Sequence, residues 1–241
     1  MDDVKYLAWP YGKLGSKERV ELRELKQSGY EFSDPFDVID IFEKKVAKFA
    51  GSKYACAVNS SSSGLFLCLK YYWEFRLDLI FSCTFGPVKI PGRTYISVPM
   101  TIINAGYKVE FEDLKWKGIY QLKPYNIWDG ACRWTKDMYV GDDALQIVSF
   151  NIKKRVPIGA GGMVLTDDKK VYEWIKLASH DGRNVNVHYG DDEFAMIGWH
   201  MYMLPEDAAR GILLMDSVPE VNEDVYSWEN YYDISQKKVF K

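Results

Sequence analysis

A chain of 241 residues has room for one large domain or two small ones, and 47% hydrophobic with 15% aromatic residues supplies a substantial core, which excludes a disordered chain. A formal net charge of −3, with both signs mixed along the sequence, argues against a nucleic-acid-binding surface as the main function. No apolar run reaches the ~18 residues of a membrane helix, and the most apolar region, 71–85, is interrupted by Glu74, Arg76 and Asp78. The N-terminus, MDDVKYLAWP, has no signal-peptide pattern. Cys56, Cys68, Cys83 and Cys132 form no close pair and read as reduced thiols of a cytoplasmic protein; His180, His188 and His200 lack the spacing of a metal-ligand set.

Residues 1–16, with Pro10, Gly12 and Gly15, read as an irregular entry arm. Ser16 is a candidate cap for a helix through Leu25, with Gly29 beyond its end. Asp34-Pro35 opens a second helix, in which Val38, Ile39, Ile41, Phe42, Val46 and Phe49 recur at helical spacing until Gly51 stops it. Tyr54 to Val58 is a short apolar strand, after which Asn59, Ser60 to Ser63 and Gly64 lead into a helix from Leu65 to Trp73. The free N–H groups at a helix start bind phosphate, and serine hydroxyls add donors; the same serines serve equally as an ordinary cap and turn.

Val88 to Pro91 reads as a strand, followed by a turn with Thr94 and Tyr95, a helix from Ser97 to Asn104 ending at Gly106, and a strand from Tyr107 to Glu112. Tyr120 to Trp128 contains Pro124 and is ambiguous, but Ile127-Trp128-Asp129 reads as a strand tip whose acid is either catalytic or a turn cap.

The stretch LQIVSFNIKKRVPIGAGGMVLTDD, Leu145 to Asp168, organises the rest. A strand from Gln146 to Phe150 runs into a basic loop with Lys153, Lys154 and Arg155; a glycine turn, Gly159 to Gly162, precedes a second strand, Met163 to Thr166. A lysine on a short loop between two buried strands is placed to be desolvated, which favours a neutral, reactive amine; the alternative is a solvated basic loop in a β-hairpin. Beyond it come a helix from Lys169 to Ala178, a polar turn at His180 to Arg183, and a loop to Asp192. An apolar, aromatic piece from Gly198 to Met203 follows, then a helix from Pro205 to Met215 with a small-residue face of Ala208, Ala209 and Gly211. Residues 225–241 read as a last helix. Strands alternating with helices indicate an α/β fold with a largely parallel sheet, here a single domain over 1–241 in which 1–36 form an N-terminal arm and helix. Ligands in such sheets bind at the carboxyl ends of strands, where the serine turn, Asp129 and the lysine loop all fall.

These pieces, in this order, resemble the DegT/DnrJ/EryC1/StrS family of pyridoxal-phosphate-dependent sugar aminotransferases. The resemblance runs through VNSSSSGLFLCL, IPGRTYISVPMTIINAGYKVEFED and WDGACRW. It is strongest in SFNIKKRVPIGAGGMVLTDD and continues in HDGRN and WHMYMLPEDAARGILLMD. It implies a type I aminotransferase-like core flanked by helices, with cofactor and substrate bound between two subunits. The family pattern Ser-Phe-x-x-x-Lys falls on Ser149 to Lys154 and implies Lys154, not Lys153, as the Schiff-base lysine, with Ser149 on the cofactor phosphate. Asp129 matches the acid that pairs with the pyridine nitrogen. Ser61 and Ser62 stand at the phosphate-binding helix start, and Tyr95 matches the residue that stacks on the ring. His200 matches a position that reaches the neighbouring subunit's cofactor phosphate. Cys132 stands where the family has Gln or His and receives no role.

The implied activity is amino transfer, from glutamate, to a keto-sugar nucleotide in cell-surface or secondary-metabolite sugar biosynthesis. The protein would be a homodimer with shared active sites, the small-residue face of 205–215 permitting close packing. Two departures stand out. Only 16 positions separate Asp113 from Asp129, where the family has further βα units, and the family's C-terminal small domain is mostly missing, with 225–241 as its remnant. A catalytically degenerate homologue with a binding or regulatory role is therefore an alternative, though the presence of Lys154, Asp129 and Ser149 weighs against it. A sugar dehydratase of the same fold is another, against which Lys154 stands, since those relatives carry histidine there.

Overall fold

The structure is a computed structural model that describes residues 7–8, 12–13, 19–75 and 86–240. In chain order its first elements are β1 (Leu7–Ala8), β2 (Gly12–Lys13), α1 (Val20–Gln27), α2 (Asp37–Ala50), β3 (Tyr54–Val58), α3 (Ser61–Phe75), β4 (Val88–Pro91), α4 (Ser97–Asn104) and β5 (Val109–Glu112). They are followed by β6 (Tyr120–Leu122), β7 (Ile127–Asp129), β8 (Leu145–Ser149), β9 (Gly162–Thr166), α5 (Lys169–Ser179) and α6 (Pro205–Met215). The expected cap Ser16 and the thiol of Cys83 lie outside the described residues.

Three strands, YACAV, LQIVS and GMVLT, are apolar at nearly every position because both faces of their sheet are covered. Side chains alternate faces along a strand. Thus Cys56, Val58, Ile147 and Val164 join one core with α3, α4 and α5, while Ala55, Ala57, Val148, Met163 and Leu165 join a second with α1, α2 and α6. The result is three layers, with the sheet in the middle.

The sheet runs β3-β9-β8-β7-β6. The expected largely parallel sheet is instead mixed: β7 and β8 are parallel, and so are β4 and β5 in a separate two-stranded sheet, but β3/β9, β8/β9 and β6/β7 are antiparallel. Connection length explains this. A parallel return needs a crossover of about a dozen residues or more, usually helical. Lys123 to Asn126 is too short for one, and the lysine loop from Phe150 to Gly161 contains no helix.

Capping follows the local chemistry. Gly51 ends α2 in the left-handed region at φ +80°, its N–H donating to the Ala47 carbonyl at 2.9 Å. Asp168 caps α5, accepting from the N–H groups of Lys170 and Val171. The small face of α6 is occupied within the chain: a Cβ on Gly211 would come within 2.5 Å of the Phe42 ring and 2.7 Å of Ile158. This corrects the expectation that Ala208, Ala209 and Gly211 serve a dimer contact, since Ala208 and Ala209 are also buried in this core. No helix among the described residues is long and apolar enough to cross a membrane.

The expected helix over 225–241 is absent. That region holds two short 3-10 turns, Trp228–Asn230 and Lys238–Phe240, in an otherwise irregular strap. Backbone groups must find partners somewhere, and here they find them on another segment. Gly118 donates to the Tyr226 carbonyl at 2.9 Å, Trp228 to Trp116 at 3.1 Å and Ile234 to Gly92 at 2.9 Å.

One buried ion pair ties α2, β3 and α5 together. Glu43, 3% exposed, accepts from the Ala57 N–H at 2.7 Å, from Lys176 Nζ at 3.1 Å and from the Tyr172 hydroxyl at 3.2 Å. Burial pushes the Glu43 carboxyl up and by itself lowers the Lys176 amine, but Glu43, Cys56, Tyr172 and Asp40 together outweigh this and hold the ammonium well above its ordinary range. Removing either partner would strand the other's charge, at a cost of about 3–5 kcal/mol.

His180 is buried beside it, stacked on Tyr202 at 4.8 Å between centroids, with Nδ1 2.8 Å from the Lys176 carbonyl. Burial lowers its pKa from 6.5 to about 4. The folded state therefore favours the neutral ring. The stability this contributes is complete above pH 6.5 and is lost as pH falls toward 4, by roughly 3 kcal/mol at most. Urea unfolding of the wild type should show that decline, and His180→Gln should remove it. Parallel pH profiles for the two proteins would contradict the assignment.

Candidate active site

The register of the sheet brings four chain ends to one edge. Val58 and Ser149 both pair with Gly162, and Asp129 pairs with Ile147, two residues before Ser149. β3, β7 and β8 therefore point the same way and end at that edge, where antiparallel β9 begins. A cleft of about 720 Å³ opens there, and Ser61, Ser62, Tyr95, Asp129, Ser149 and Lys154 all line it. Residues read from sequence as far apart as 61 and 154 thus meet in one site.

The serine turn performs both of the roles open to it, with different residues. Ser60 Oγ accepts from the Ser63 N–H at 3.1 Å and Ser63 Oγ donates to Asn59 Oδ1 at 2.6 Å, which caps α3. Ser61 and Ser62 face the cleft, and Ser62 Oγ donates to Ser97 Oγ at 3.0 Å, which links the starts of α3 and α4. The backbone of Ser60 and Ser61 lies so close to β9 that a Cβ on Gly162 would collide with the Ser61 nitrogen. Glycine is required there for the helix N-terminus to sit over the strand ends, where its first N–H groups and its dipole suit an anion.

The lysine loop is braced by its own backbone. Phe150 donates to the Gly161 carbonyl at 3.0 Å and Gly159 to Phe150 at 3.2 Å, while Lys154 donates to the Asn151 carbonyl at 2.8 Å. This turn separates the two lysines: Lys153 is exposed and Lys154 half-buried. Lys154 Nζ donates to Cys132 Sγ at 3.3 Å and lies 5.4 Å above the Tyr226 ring. Burial pushes the Cys132 thiol up, against the pull of Lys154, so the sulfur remains protonated near neutral pH. Ser149 is buried, with Oγ accepting weakly from the Asn151 N–H at 3.4 Å.

Asp129 is both turn cap and site acid. Oδ1 accepts from the Ala131 N–H at 3.0 Å, and Oδ2 accepts from the Tyr120 hydroxyl at 2.7 Å. Tyr120 is buried and in turn accepts from the Thr94 hydroxyl at 2.6 Å; its phenol is pushed well above the usual range by burial and by Asp129. Each carboxylate oxygen keeps capacity for a further donor. Tyr95, 62% exposed, presents its ring at the cleft rather than to the core.

His200 stands apart from its own cleft. Its Nδ1 lies 2.8 Å from Asp181 Oδ2 on a side chain that is 73% exposed, although its carbonyl accepts from Asn59 Nδ2 at 3.4 Å, just before the serine turn. Reading by sequence missed the C-terminal strap, which supplies Tyr226, Asn230 and Tyr231 to the cleft. The aromatic run in EDVYSWENYYD is the only signal it offers. Gly118 admits the strap: at φ +71° it faces Asp224, whose carboxylate a Cβ would strike and which pairs with Arg133 at 2.6 Å. Among the described residues no cluster of three or more His, Cys, Asp and Glu could hold a metal ion.

Comparison with known proteins identifies the family of the chain. The family model described as the DegT/DnrJ/EryC1/StrS aminotransferase family matches residues 13–128 and 131–234. The spore coat polysaccharide biosynthesis protein SpsC of Bacillus subtilis (strain 168) is 25% identical over an alignment covering 86% of this chain and 63% of SpsC. AtS13 from Actinomadura melliaura superposes with a TM-score of 0.66 at 18% identity, covering 82% of this chain and 64% of that one. PseC of Helicobacter pylori, an aminotransferase involved in the biosynthesis of pseudoaminic acid, superposes with a TM-score of 0.61 at 18% identity, covering 75% and 57%. The chain thus spans less than two thirds of the length of each relative, and its α/β core has their fold. With a family model matched along nearly all of its length, the chain belongs to the DegT/DnrJ/EryC1/StrS aminotransferase family.

Proposed function

We propose that this chain is a pyridoxal-phosphate-dependent aminotransferase that moves an amino group from an amino acid, glutamate in our reading, to a keto-sugar nucleotide. The convergence of Lys154, Asp129 and the serine-lined N-terminus of α3 in one cleft carries this reading. The names of SpsC and PseC, which refer to polysaccharide and pseudoaminic acid biosynthesis, support a sugar-handling role.

The residues present fit the cofactor. The helix N-terminus, the Ser61 and Ser62 hydroxyls and Ser149 would hold its phosphate, at a helix start that a side chain at Gly162 would push off the sheet edge. Tyr95 would cover the ring. When bound, pyridoxal phosphate supplies an aldehyde for an amine to condense with and a ring that accepts electrons as an α-proton leaves. Asp129 would pair with the ring nitrogen, and Tyr120 and the Ala131 N–H fix its carboxylate for that task. Lys154 Nζ would hold the cofactor and then carry a proton as general base and acid.

With the purified protein and pyridoxal phosphate, borohydride reduction and peptide mass mapping should place the adduct on Lys154. An adduct on Lys153, or none at saturating cofactor, sinks the reading. Asp129→Asn should keep cofactor binding but slow the half-reaction with glutamate at least ~100-fold, since the amide no longer stabilises a protonated ring nitrogen. Equal rates would remove Asp129 from the mechanism.

The protein acts, in this proposal, as a homodimer whose sites are shared, in the cytoplasm. Tyr95 and Ile152, 62% and 65% exposed, offer apolar surface at the cleft, and His200 points away from its own site. Its imidazole would reach the phosphate held by the partner. Lys154→Ala and His200→Ala subunits, mixed and re-equilibrated, should regain part of the activity, because one of the two sites in a mixed dimer is intact. Mixed dimers without activity, or full activity of His200→Ala alone, would refute a shared site built on His200.

A further inference from the structure

The head of Lys154 meets the C-terminal strap in two ways, once directly and once through Cys132. Nζ lies over the Tyr226 ring, and it donates to Cys132 Sγ, which is itself 3.3 Å from the Tyr231 hydroxyl. Cys132 occupies a turn directly after the acid strand β7, so the sulfur stands between the loop that carries the lysine and the strap that carries the tyrosine. We infer that Tyr231 and Cys132 form a relay that positions the Lys154 amine in the cleft, so that the strap is part of the amine's working environment and not only a cover. As a statement about catalysis this rests on the aminotransferase reading; as a statement about the amine's placement it does not.

Tyr231 is held firmly enough to act this way. Its carbonyl accepts from Arg93 Nη1 at 3.0 Å and its ring packs on Trp116 at 5.5 Å between centroids. Trp116 in turn donates from Nε1 to the Arg93 carbonyl at 2.8 Å. The hydroxyl is therefore aimed by groups outside the relay. Burial raises both the Tyr231 phenol and the Cys132 thiol, so each keeps its proton at neutral pH and the relay orients by hydrogen bonding, not by charge. A thiol is a weak partner for an amine. It fixes direction while leaving Lys154 ready to exchange its contact for a ligand.

Tyr231→Phe keeps the ring and its packing on Trp116 and removes only the hydroxyl; Cys132→Ala removes the middle group, and Cys132→Ser restores a small hydrogen-bonding atom. The first measurement uses no cofactor. Trace acetylation with acetic anhydride, read by peptide mass spectrometry, gives the labelling of Lys154 relative to exposed Lys153. In Tyr231→Phe and Cys132→Ala that ratio should rise about two- to tenfold, the range one hydrogen bond commands, and in Cys132→Ser it should stay near wild type. A merely structural role would raise both lysines together. The Cys132→Ala/Tyr231→Phe double variant should label no more than the stronger single variant, because coupled groups are not additive.

In the second measurement, the rate at which borohydride traps pyridoxal phosphate on Lys154 should fall in the same variants. An unchanged acetylation ratio in Tyr231→Phe, or additive effects in the double variant, overturns the relay. If Tyr231→Phe does not fold, Cys132→Ala against Cys132→Ser decides: equal ratios overturn it. If acetylation behaves as expected while wild type traps no cofactor, the relay stands and the aminotransferase reading fails.

Discussion

The pairing of Gly162 with both Val58 and Ser149 is the constraint on which the site depends. It puts β9 between β3 and β8, reverses it, and so leaves β3 and β8 parallel without being neighbours. Their carboxyl ends then meet at one edge, with the serine turn leaving one and the lysine loop leaving the other. Because side-chain direction has a period of two along a strand, a one-residue slip here would also exchange the two cores, moving Val164 into the place of Met163. Burial on both faces fixes this register, and the register fixes the distance between the helix N-terminus and the lysine.

The same pairing explains why glycine is needed at position 162 for more than a turn. The approach of the Ser60-Ser61 backbone leaves no room for a Cβ, so the first turn of α3 is seated directly on the sheet edge. The donors of a helix start are useful to an anion only if they are held still and face a common space. Here Ser60 and Ser63 take over the capping, which leaves Ser61 and Ser62 to the cleft. Asp129 shows a similar division, with one oxygen bound to the turn that follows β7 and the other to Tyr120.

Two distant segments meet beside the acid. The brief interval between Asp113 and Asp129 folds as the β6-β7 hairpin and contributes Tyr120 and Trp116 beside the acid. Residues 217–240, instead of continuing as a helix, lie across that interval and bond to Gly92, Trp116 and Gly118. Aromatic packing of Trp116 with Tyr120 and Tyr231 joins the two. The cleft thus gains a wall from the chain's own C-terminal region.

Much of this was legible before any tertiary structure. The strands Tyr54–Val58 and Val88–Pro91, the helices Ser97–Asn104 and Pro205–Met215, and the strand tip ending at Asp129 follow from apolar runs, helical spacing and punctuation by Gly and Pro, which are local signals. The order of Ser61, Ser62, Tyr95, Asp129, Ser149 and Lys154 along the chain was enough to suggest one site and the family to which the chain belongs. Strand direction was not legible, because alternating elements suit parallel and mixed sheets alike until connection lengths and pairing partners are known. Nor was the strap: its backbone hydrogen bonds with Gly92, Trp116 and Gly118 join residues more than a hundred positions apart, and no local spacing encodes them. Whether Ala208, Ala209 and Gly211 meet another subunit or their own α2, and whether Lys154 touches Cys132 and through it Tyr231, depends on where distant segments come to rest. That is decided by packing of the whole chain, because only the folded core determines which faces are already covered.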